Sequence, residues 1–190
     1  MFRISEPSDR DVDHFISSQR NLPFTYAEVG ATNATPPLSG YKVDHNRIRL
    51  GDGETVYQRA VEGLKNWRQF DLGWVGIVPC GVVVEVGATV AVKARAFGTW
   101  SLNATRVVYV IDEPRRFGFA YGTLPDHVEC GEERFLIEWL PDDSVWYDIL
   151  AFSRPQHSLV KFSSPLARML QKRFARESLL RMKSATDSHS

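Results

Sequence analysis

Four side chains that could carry protons or bind a metal lie close together in the middle of the chain, at His127, Glu129, Glu132 and Glu133. One imidazole and three carboxylates can hold a divalent cation or share acid–base work. Their H-x-E-x-x-E spacing is not a zinc motif, and Gly131 inside the group indicates a turn. We therefore expect a solvated hairpin loop here. The first alternative is that His127 and Glu129 contact a ligand near the mouth of a cavity. The second is a metal site, but no metal is assigned.

Three further polar side chains interrupt apolar strand sequences, at Tyr121, Tyr147 and Asp148. The carboxyl group of Asp148 is either paired with Arg106 or another strand arginine, or it serves as an acid or anchor inside a cavity with its pKa raised by burial. Buried tyrosine hydroxyl groups need hydrogen-bond partners, so Tyr121 and Tyr147 are candidates for polar contacts with a ligand.

The sequence after Trp100 carries Asn103 and Arg106 within another apolar strand. An amide in such a strand indicates either a polar contact or a bond to the backbone at a bulge. The sequence has no Ser–His–Asp spacing, nucleophile elbow, phosphate-binding glycine loop or dinucleotide fingerprint, so no catalytic residue and no cofactor are assigned. The candidate ligand-binding residues are therefore Tyr121, Asn103, Arg106, Tyr147, Asp148, His127, Glu129 and Trp100.

The elements that must position these side chains are mostly strands. From residue 70 to 154 the apolar residues alternate with a period of two, in segments bounded by Gly, Pro and Asp. Because the separators are short, neighbouring strands are expected to pair as antiparallel hairpins. The predicted strands are residues 41–50, 70–79, 86–97, 100–111, 116–122, 132–140 and 144–154.

Helical patterns flank this run of strands. Val56, Ala60, Leu64 and Trp67 follow a 3.6-residue period and predict a helix over residues 54–67. A second long helix is predicted over residues 164–183, with an apolar face formed by Leu166, Met169, Leu170, Phe174 and Leu180.

We expect a single domain over residues 1–190, with three parts. Residues 1–40 form an N-terminal arm whose short helix is capped by Ser8 with Asp11. Residues 41–183 form the core, and residues 184–190 form a frayed tail. The order of strand, helix, six strands and helix is that of the α+β helix-grip, or START-like, fold. In this fold a curved antiparallel sheet of six to seven strands wraps around the C-terminal helix.

The chain also resembles a known family. The segments that carry the resemblance are FAYGTLPDHVECGEERF (119–135), YAEVGAT (26–32), YKVD (41–44), WSLNATRVVYVID (100–112) and VWYDILAFSRP (145–155). Together they resemble the domain of unknown function 1990 family over about residues 24–183. This resemblance implies a small soluble α+β protein of the START-like superfamily and supplies no catalytic residues. Members of the wider superfamily bind lipids, sterols or other hydrophobic molecules, and a minority act as cyclases.

Composition excludes several functional classes. Lys plus Arg and Asp plus Glu number 23 each, so no overall field attracts nucleic acid, although residues 165–183 are basic. No apolar run is long enough for stable membrane insertion. The chain has two cysteines and no apolar leader segment, which predicts a cytoplasmic protein. The oligomeric state is left open.

These observations favour a protein that binds a small hydrophobic or amphipathic ligand between the sheet and the last helix. One alternative is an enzyme that acts on such a ligand by acid–base chemistry, with His127, Glu129 or Asp148 as the proton carrier. A second alternative is an interaction module that uses residues 24–40 as an extended docking segment.

Overall fold

One antiparallel sheet carries most of the structure, which is a computed structural model describing residues 2–36, 39–156 and 164–187. Three α-helices and two short 3-10 helices, at Ala31–Asn33 and Arg68–Phe70, accompany the sheet in these ranges. The strands are β1 (Phe2–Arg3), β2 (Lys42–Asp52), β3 (Val75–Val78), β4 (Thr89–Ala96), β5 (Thr99–Glu113), β6 (Arg116–Thr123), β7 (Glu129–Trp139) and β8 (Ser144–Pro155). The helices are α1 (Asp9–Gln19), α2 (Gly53–Lys65) and α3 (Ser164–Asp187).

The strand order confirms the predicted helix-grip arrangement. It runs β2-β8-β7-β6-β5-β4-β3, so all strands from β3 to β8 pair with their neighbours in sequence, and β2 closes the row on β8. The sheet has eight strands because β1 adds to β5, where Phe2 lies opposite Ser101. This short strand was not predicted, since two residues are too few to show an alternation.

The period of two places opposite kinds of side chain on the two faces of the sheet. In β6, Phe117, Phe119 and Tyr121 point into the main core, whereas Gly118 and Gly122 lie on the outer face. The inner face curls around α3, because residues from β2 through β8 all line one space beside this helix.

Helix α2 packs on the inner face through Tyr57, Ala60, Val61 and Leu64, of which Ala60 and Leu64 belong to the predicted face; the helix ends at Lys65, so Trp67 lies beyond it. Within the described residues, no helix is long and apolar enough to cross a membrane.

The long helix α3 packs differently from its predicted apolar face. Ser178, Met182 and Thr186 are buried, whereas Met169 and Leu180 are 50% and 56% exposed. The buried residues repeat every four positions, so they form one stripe, and it includes small side chains that allow close packing. The helix extends to Asp187, beyond the predicted end at residue 183. Part of the predicted frayed tail is therefore helical, and residues 188–190 lie outside the described ranges.

The N-terminal arm lies against the outer face of the sheet. Its short helix has the predicted capping box between Ser8 and Asp11. Farther along, the carboxylate of Glu132 accepts hydrogen bonds from the hydroxyl of Tyr26, from the backbone N–H of Gly30, and from both the N–H and the hydroxyl of Thr32. Because this part of the arm is fastened to its own sheet, the structure counts against its use as an extended docking segment.

Gly122 provides the space in which the arm docks. A Cβ atom at this position would lie 2.1 Å from the hydroxyl oxygen of Tyr26, which is itself bound to Glu132. We expect Gly122→Ala to lower the free energy of unfolding by about 1–3 kcal/mol, because the arm must shift to admit the methyl group. Urea denaturation followed by tryptophan fluorescence measures the change.

Gly76→Ala is the matched control, since Gly76 also lies in a strand and a Cβ atom there has no neighbour within 4 Å. Equal losses of stability in the two variants would contradict the close approach of Tyr26 to Gly122.

Candidate functional site

A pocket of about 920 Å³ lies between the inner face of the sheet and the first half of α3. Its volume reflects small side chains at facing positions: Ala94 and Ala151 on the sheet, and Ala167 and Ala175 on the helix. Most of the wall is apolar, and its larger side chains are Phe70, Trp74, Val75, Val92, Ile149 and Phe174.

The mouth of the pocket is at the end of the sheet where α3 begins. Phe2, Phe97 and Leu166 line it and are 68%, 65% and 41% exposed. Phe97 forms the β4–β5 turn with Gly98 and has a φ of 51°. The inner end lies beside the aromatic core around Phe70.

A row of four residues crosses the sheet beneath this space. Asp44 on β2 lies opposite Ala151 on β8, Ala151 lies opposite Glu133 on β7, and Glu133 lies opposite Tyr121 on β6. Directly opposite residues share a face, so all four side chains point towards α3. Two strand spacings separate Asp44 from Glu133, about 10 Å between Cα atoms, and only the methyl group of Ala151 stands between them.

Tyr121 and Glu133 form the polar pair at the inner end of the pocket. The Tyr121 hydroxyl donates to Oε2 of Glu133 over 2.6 Å. Burial raises the pKa of Glu133 to about 7; the negative charge of Asp44 adds to the rise and the Tyr121 hydrogen bond opposes it. Burial, and then the charge of Glu133, raise the pKa of Tyr121 well above 10, so its hydroxyl remains a donor. A carboxyl group with this pKa exchanges its proton near neutral pH.

Asp44 is held in a different way. Arg168 from the first turns of α3 donates to both of its carboxylate oxygens. This bidentate contact lowers the pKa of Asp44 and raises that of Arg168, so both groups stay charged. The pair fastens the start of α3 to the edge strand β2 on one side of the pocket.

His127 and Glu129 line the pocket near its mouth. Nδ1 of His127 accepts the backbone N–H of Glu129 over 2.9 Å, and burial lowers the pKa of His127 to about 4. The imidazole is therefore neutral at pH 7. Burial raises the pKa of Glu129, and a hydrogen bond with Ser153 opposes this rise.

Asn103 lines the pocket from β5 and is 7% exposed. Its amide nitrogen donates to the hydroxyl oxygen of Ser101 over 3.2 Å. Its carbonyl oxygen Oδ1 is buried and has no hydrogen-bond partner in the described part of the chain. This oxygen can accept a hydrogen bond from a bound molecule, since a buried acceptor without a partner is costly.

Two other predicted residues lie away from the pocket on the outer face of β5. Arg106 donates to the backbone carbonyl groups of Gln19, Arg20 and Leu22, and so binds the carboxyl end of α1. Trp100 lies near the cationic groups of Lys93 and Arg95, at 5.4 and 5.5 Å from its ring centre. Both side chains serve the packing of the outer layer.

The last two predicted residues, Asp148 and Tyr147, lie on β8 but outside the pocket lining. Asp148 is buried on the outer face and paired with Arg134 over 2.9 Å and with His45. This pairing matches the structural alternative, with Arg134 in place of Arg106. Tyr147 lies deeper in the inner core, where its hydroxyl is 3.1 Å from that of Ser178 on α3.

The sequence analysis grouped Glu132 and Glu133 in one polar cluster beside a turn at Gly131, with the strand starting at residue 132, and the structure places the two side chains on opposite faces of β7. Strand β7 begins at Glu129, so Gly131 lies within the strand and the predicted turn is not formed. A Cβ atom on Gly131 would lie 2.0 Å from the carbonyl oxygen of Phe152. The close approach of β7 to β8 therefore requires glycine at this position. Counting back by two from the apolar Phe135 places Glu133 on the inner face, a signal that the sequence does contain.

The raised pKa of Glu133 gives stability a pH dependence. The folded protein holds this proton between pH 4.5 and about 7 while the unfolded chain has lost it, so this group's contribution to stability falls as the pH rises. His127 acts in the opposite sense between about pH 4 and 6.5, because its folded pKa is lowered. We expect the unfolding free energy of the wild type, minus that of Glu133→Gln, to fall by roughly 3 kcal/mol from pH 4.5 to 7.

Urea denaturation at a series of pH values measures this difference, and it cancels the contribution of His127. Glu62→Gln on the exposed side of α2 is the control, and its difference from the wild type is expected to stay flat. A Glu133 difference that also stays flat would contradict the raised pKa of this carboxyl group and the partial burial that causes it.

Comparisons with known proteins agree with this architecture. A protein from Dictyostelium discoideum named UPF0548 protein is 36% identical over 210 residues, covering 100% of this chain and 97% of its own length. A UPF0548 protein from Deinococcus radiodurans is 37% identical over 190 residues, covering 93% and 94%.

Two solved structures show the same helix-grip fold. The Zhui aromatase/cyclase from Streptomyces sp. R1128 has a TM-score of 0.56 at 7% identity and covers 77% of this chain and 94% of its own. Ara h 8.0201 has a TM-score of 0.52 at 11% identity and covers 79% and 100%. At these identities the likeness concerns the fold alone.

The family comparison completes the assignment. The model described as domain of unknown function (DUF1990) matches residues 25–181, which include the whole row from Asp44 to Tyr121 and most of α3. Because this match covers most of the chain and the two relatives extend along nearly all of it, the protein belongs to the DUF1990 family.

Proposed function

We propose that the protein binds a small hydrophobic or amphipathic molecule between the sheet and α3. The observation that carries this proposal is the apolar inner face of the sheet beside Ala151, which α3 leaves uncovered. Apolar surface facing water in such a space is unfavourable by about 25 cal/mol per Å² and is relieved when an apolar ligand fills it. A volume of about 920 Å³ is within the range of small-molecule sites.

The proposed binding set differs from the predicted one. Tyr121, Asn103, His127 and Glu129 remain in it because they line the pocket. Glu133 joins them as the partner of Tyr121. The other four predicted residues have partners elsewhere and are assigned to structural contacts; they are Arg106, Trp100, Tyr147 and Asp148.

Acid–base catalysis on the bound molecule is a second candidate function, and the Tyr121–Glu133 pair is the observation that favours it. Of the three carriers expected from the sequence, Asp148 is dropped because it is paired on the outer face. This candidate is supported if the wild type converts a bound molecule and Glu133→Gln binds that molecule without converting it. Release of the bound molecule from the wild type without chemical change would exclude it. Cytoplasmic residence also remains a proposal, in keeping with the free thiol groups of Cys80 and Cys130.

Binding can be tested with N-phenyl-1-naphthylamine, a neutral probe that fluoresces in apolar surroundings. We expect saturable binding by the wild type. Ala151→Phe is expected to weaken it about tenfold or more, because the new ring occupies the gap between Asp44 and Glu133.

Ala27→Phe is the matched control, since Ala27 is exposed on the arm away from the pocket, and its affinity is expected to match the wild type. The proposal fails if the wild type shows no saturable binding, or if Ala151→Phe binds as tightly as Ala27→Phe.

A further inference from the structure

We infer that the inner end of the pocket receives the protonated amino group of a lipophilic amine, with Glu133 as its counter-ion and Tyr121 holding the carboxylate in place. This inference rests on the proposed function, because it names the class of ligand that the same pocket would select.

The first argument is the unused hydrogen-bonding capacity of Glu133. A carboxylate has about four acceptor sites on its two oxygens. Among the described residues, Tyr121 donates to Oε2, no hydrogen bond reaches Oε1, and no Lys, Arg or His lies within ion-pair distance. Glu133 is half-buried and lines the pocket, so its carboxylate is partly removed from water and gains from a bound cation. An ammonium group supplies both the positive charge and up to three donors.

The contrast with the neighbouring residue strengthens this argument. Glu132, next in sequence and on the outer face, receives four hydrogen bonds from the arm. The fold therefore satisfies the buried carboxyl group of Glu132 completely and leaves the half-buried one of Glu133 with a single donor, at a place where a ligand can reach it.

The second argument is the charge of the surroundings. Asp44 lies in the same row as Glu133, and its own cation, Arg168, is bound to it through both carboxylate oxygens. The other titratable groups near this region are Tyr121 and Tyr147, both protonated, the neutral His127, and Glu129 at the mouth. Lys172 and Arg176 also line the pocket from α3, and both are exposed. An anionic head group at Ala151 would lie beside the carboxyl group of Glu133, whereas a cation there is attracted by it; the charge of Asp44 is already balanced by Arg168.

The third argument is the aromatic wall beside the gap. The Phe70 ring lies 6.0 Å from that of Tyr121 and 5.0 Å from that of Phe174. Aromatic faces attract ammonium groups, with a contribution of about 0.5–2 kcal/mol that grows as water is excluded. Ala151 leaves the room in which a head group can approach both the rings and Glu133.

Two probes of the same shape distinguish this inference from simple apolar binding: 1-naphthylmethylamine and 1-naphthalenemethanol, which differ only in an amino or hydroxyl group. We expect the wild type to bind the amine about tenfold or more tightly than the alcohol near pH 8, measured by displacement of N-phenyl-1-naphthylamine. Glu133→Gln is expected to abolish this preference, because the neutral amide cannot pair with the ammonium group. Glu62→Gln, on the exposed side of α2, is expected to keep the preference for the amine.

The ratio of the two affinities also has an expected pH profile in the wild type. It rises from pH 6 to 8 as Glu133 ionises, because only the charged carboxylate holds the ammonium group, and the amine itself stays protonated in this range. This profile tests the inference even if Glu133→Gln does not fold.

Three outcomes would overturn the inference. They are equal affinities of the wild type for both probes near pH 8, a preference for the amine that Glu133→Gln retains, and an affinity ratio that does not change with pH. If N-phenyl-1-naphthylamine still binds in these cases, the proposed function stands and only the ligand class is wrong. Failure of that neutral probe to bind would remove the proposed function and the inference together.

Discussion

The partial cover that α3 gives to the curled inner face of the sheet is the constraint on which the rest of the structure depends. Its later turns bury Ser178, Met182 and Thr186 against the sheet and α2. Its earlier turns are joined to β2 by the Arg168–Asp44 pair and otherwise lie across the pocket from the sheet, where Ala94, Ala151, Ala167 and Ala175 line the space. One helix thus completes the core at one end and leaves an apolar space at the other.

The charges on β7 follow from this division. On the outer face the arm is close enough to satisfy Glu132 with four hydrogen bonds. On the inner face Glu133 lines the pocket, and among the described residues only the Tyr121 hydroxyl donates a hydrogen bond to it. The unpaired carboxyl group and the uncovered apolar wall therefore have a common origin, and both are relieved by the same bound molecule.

Local patterns in the sequence predicted much of this fold. Alternation and short separators gave the hairpins from β3 to β8, and the 3.6-residue period gave α2. The row from Asp44 to Tyr121 could not be predicted, because it needs the pairing of β2 with β8 across about 100 residues of chain. The start of β7 was also missed, since Gly131 indicates a turn by type but allows a close approach of strands. Consequently Glu133, Asp44 and Arg168 were absent from the predicted site.

The central claim is that a ligand occupies the space beside Ala151, and methyl NMR of the alanine residues tests it most directly. Alanine-labelled protein would be titrated with N-phenyl-1-naphthylamine. The account predicts that the methyl signals of Ala94, Ala151 and Ala175 shift with saturation, while those of Ala60 in α2 and Ala104 on the outer face stay in place. Shifts confined to the second group, or unchanged signals at saturating probe, would contradict it.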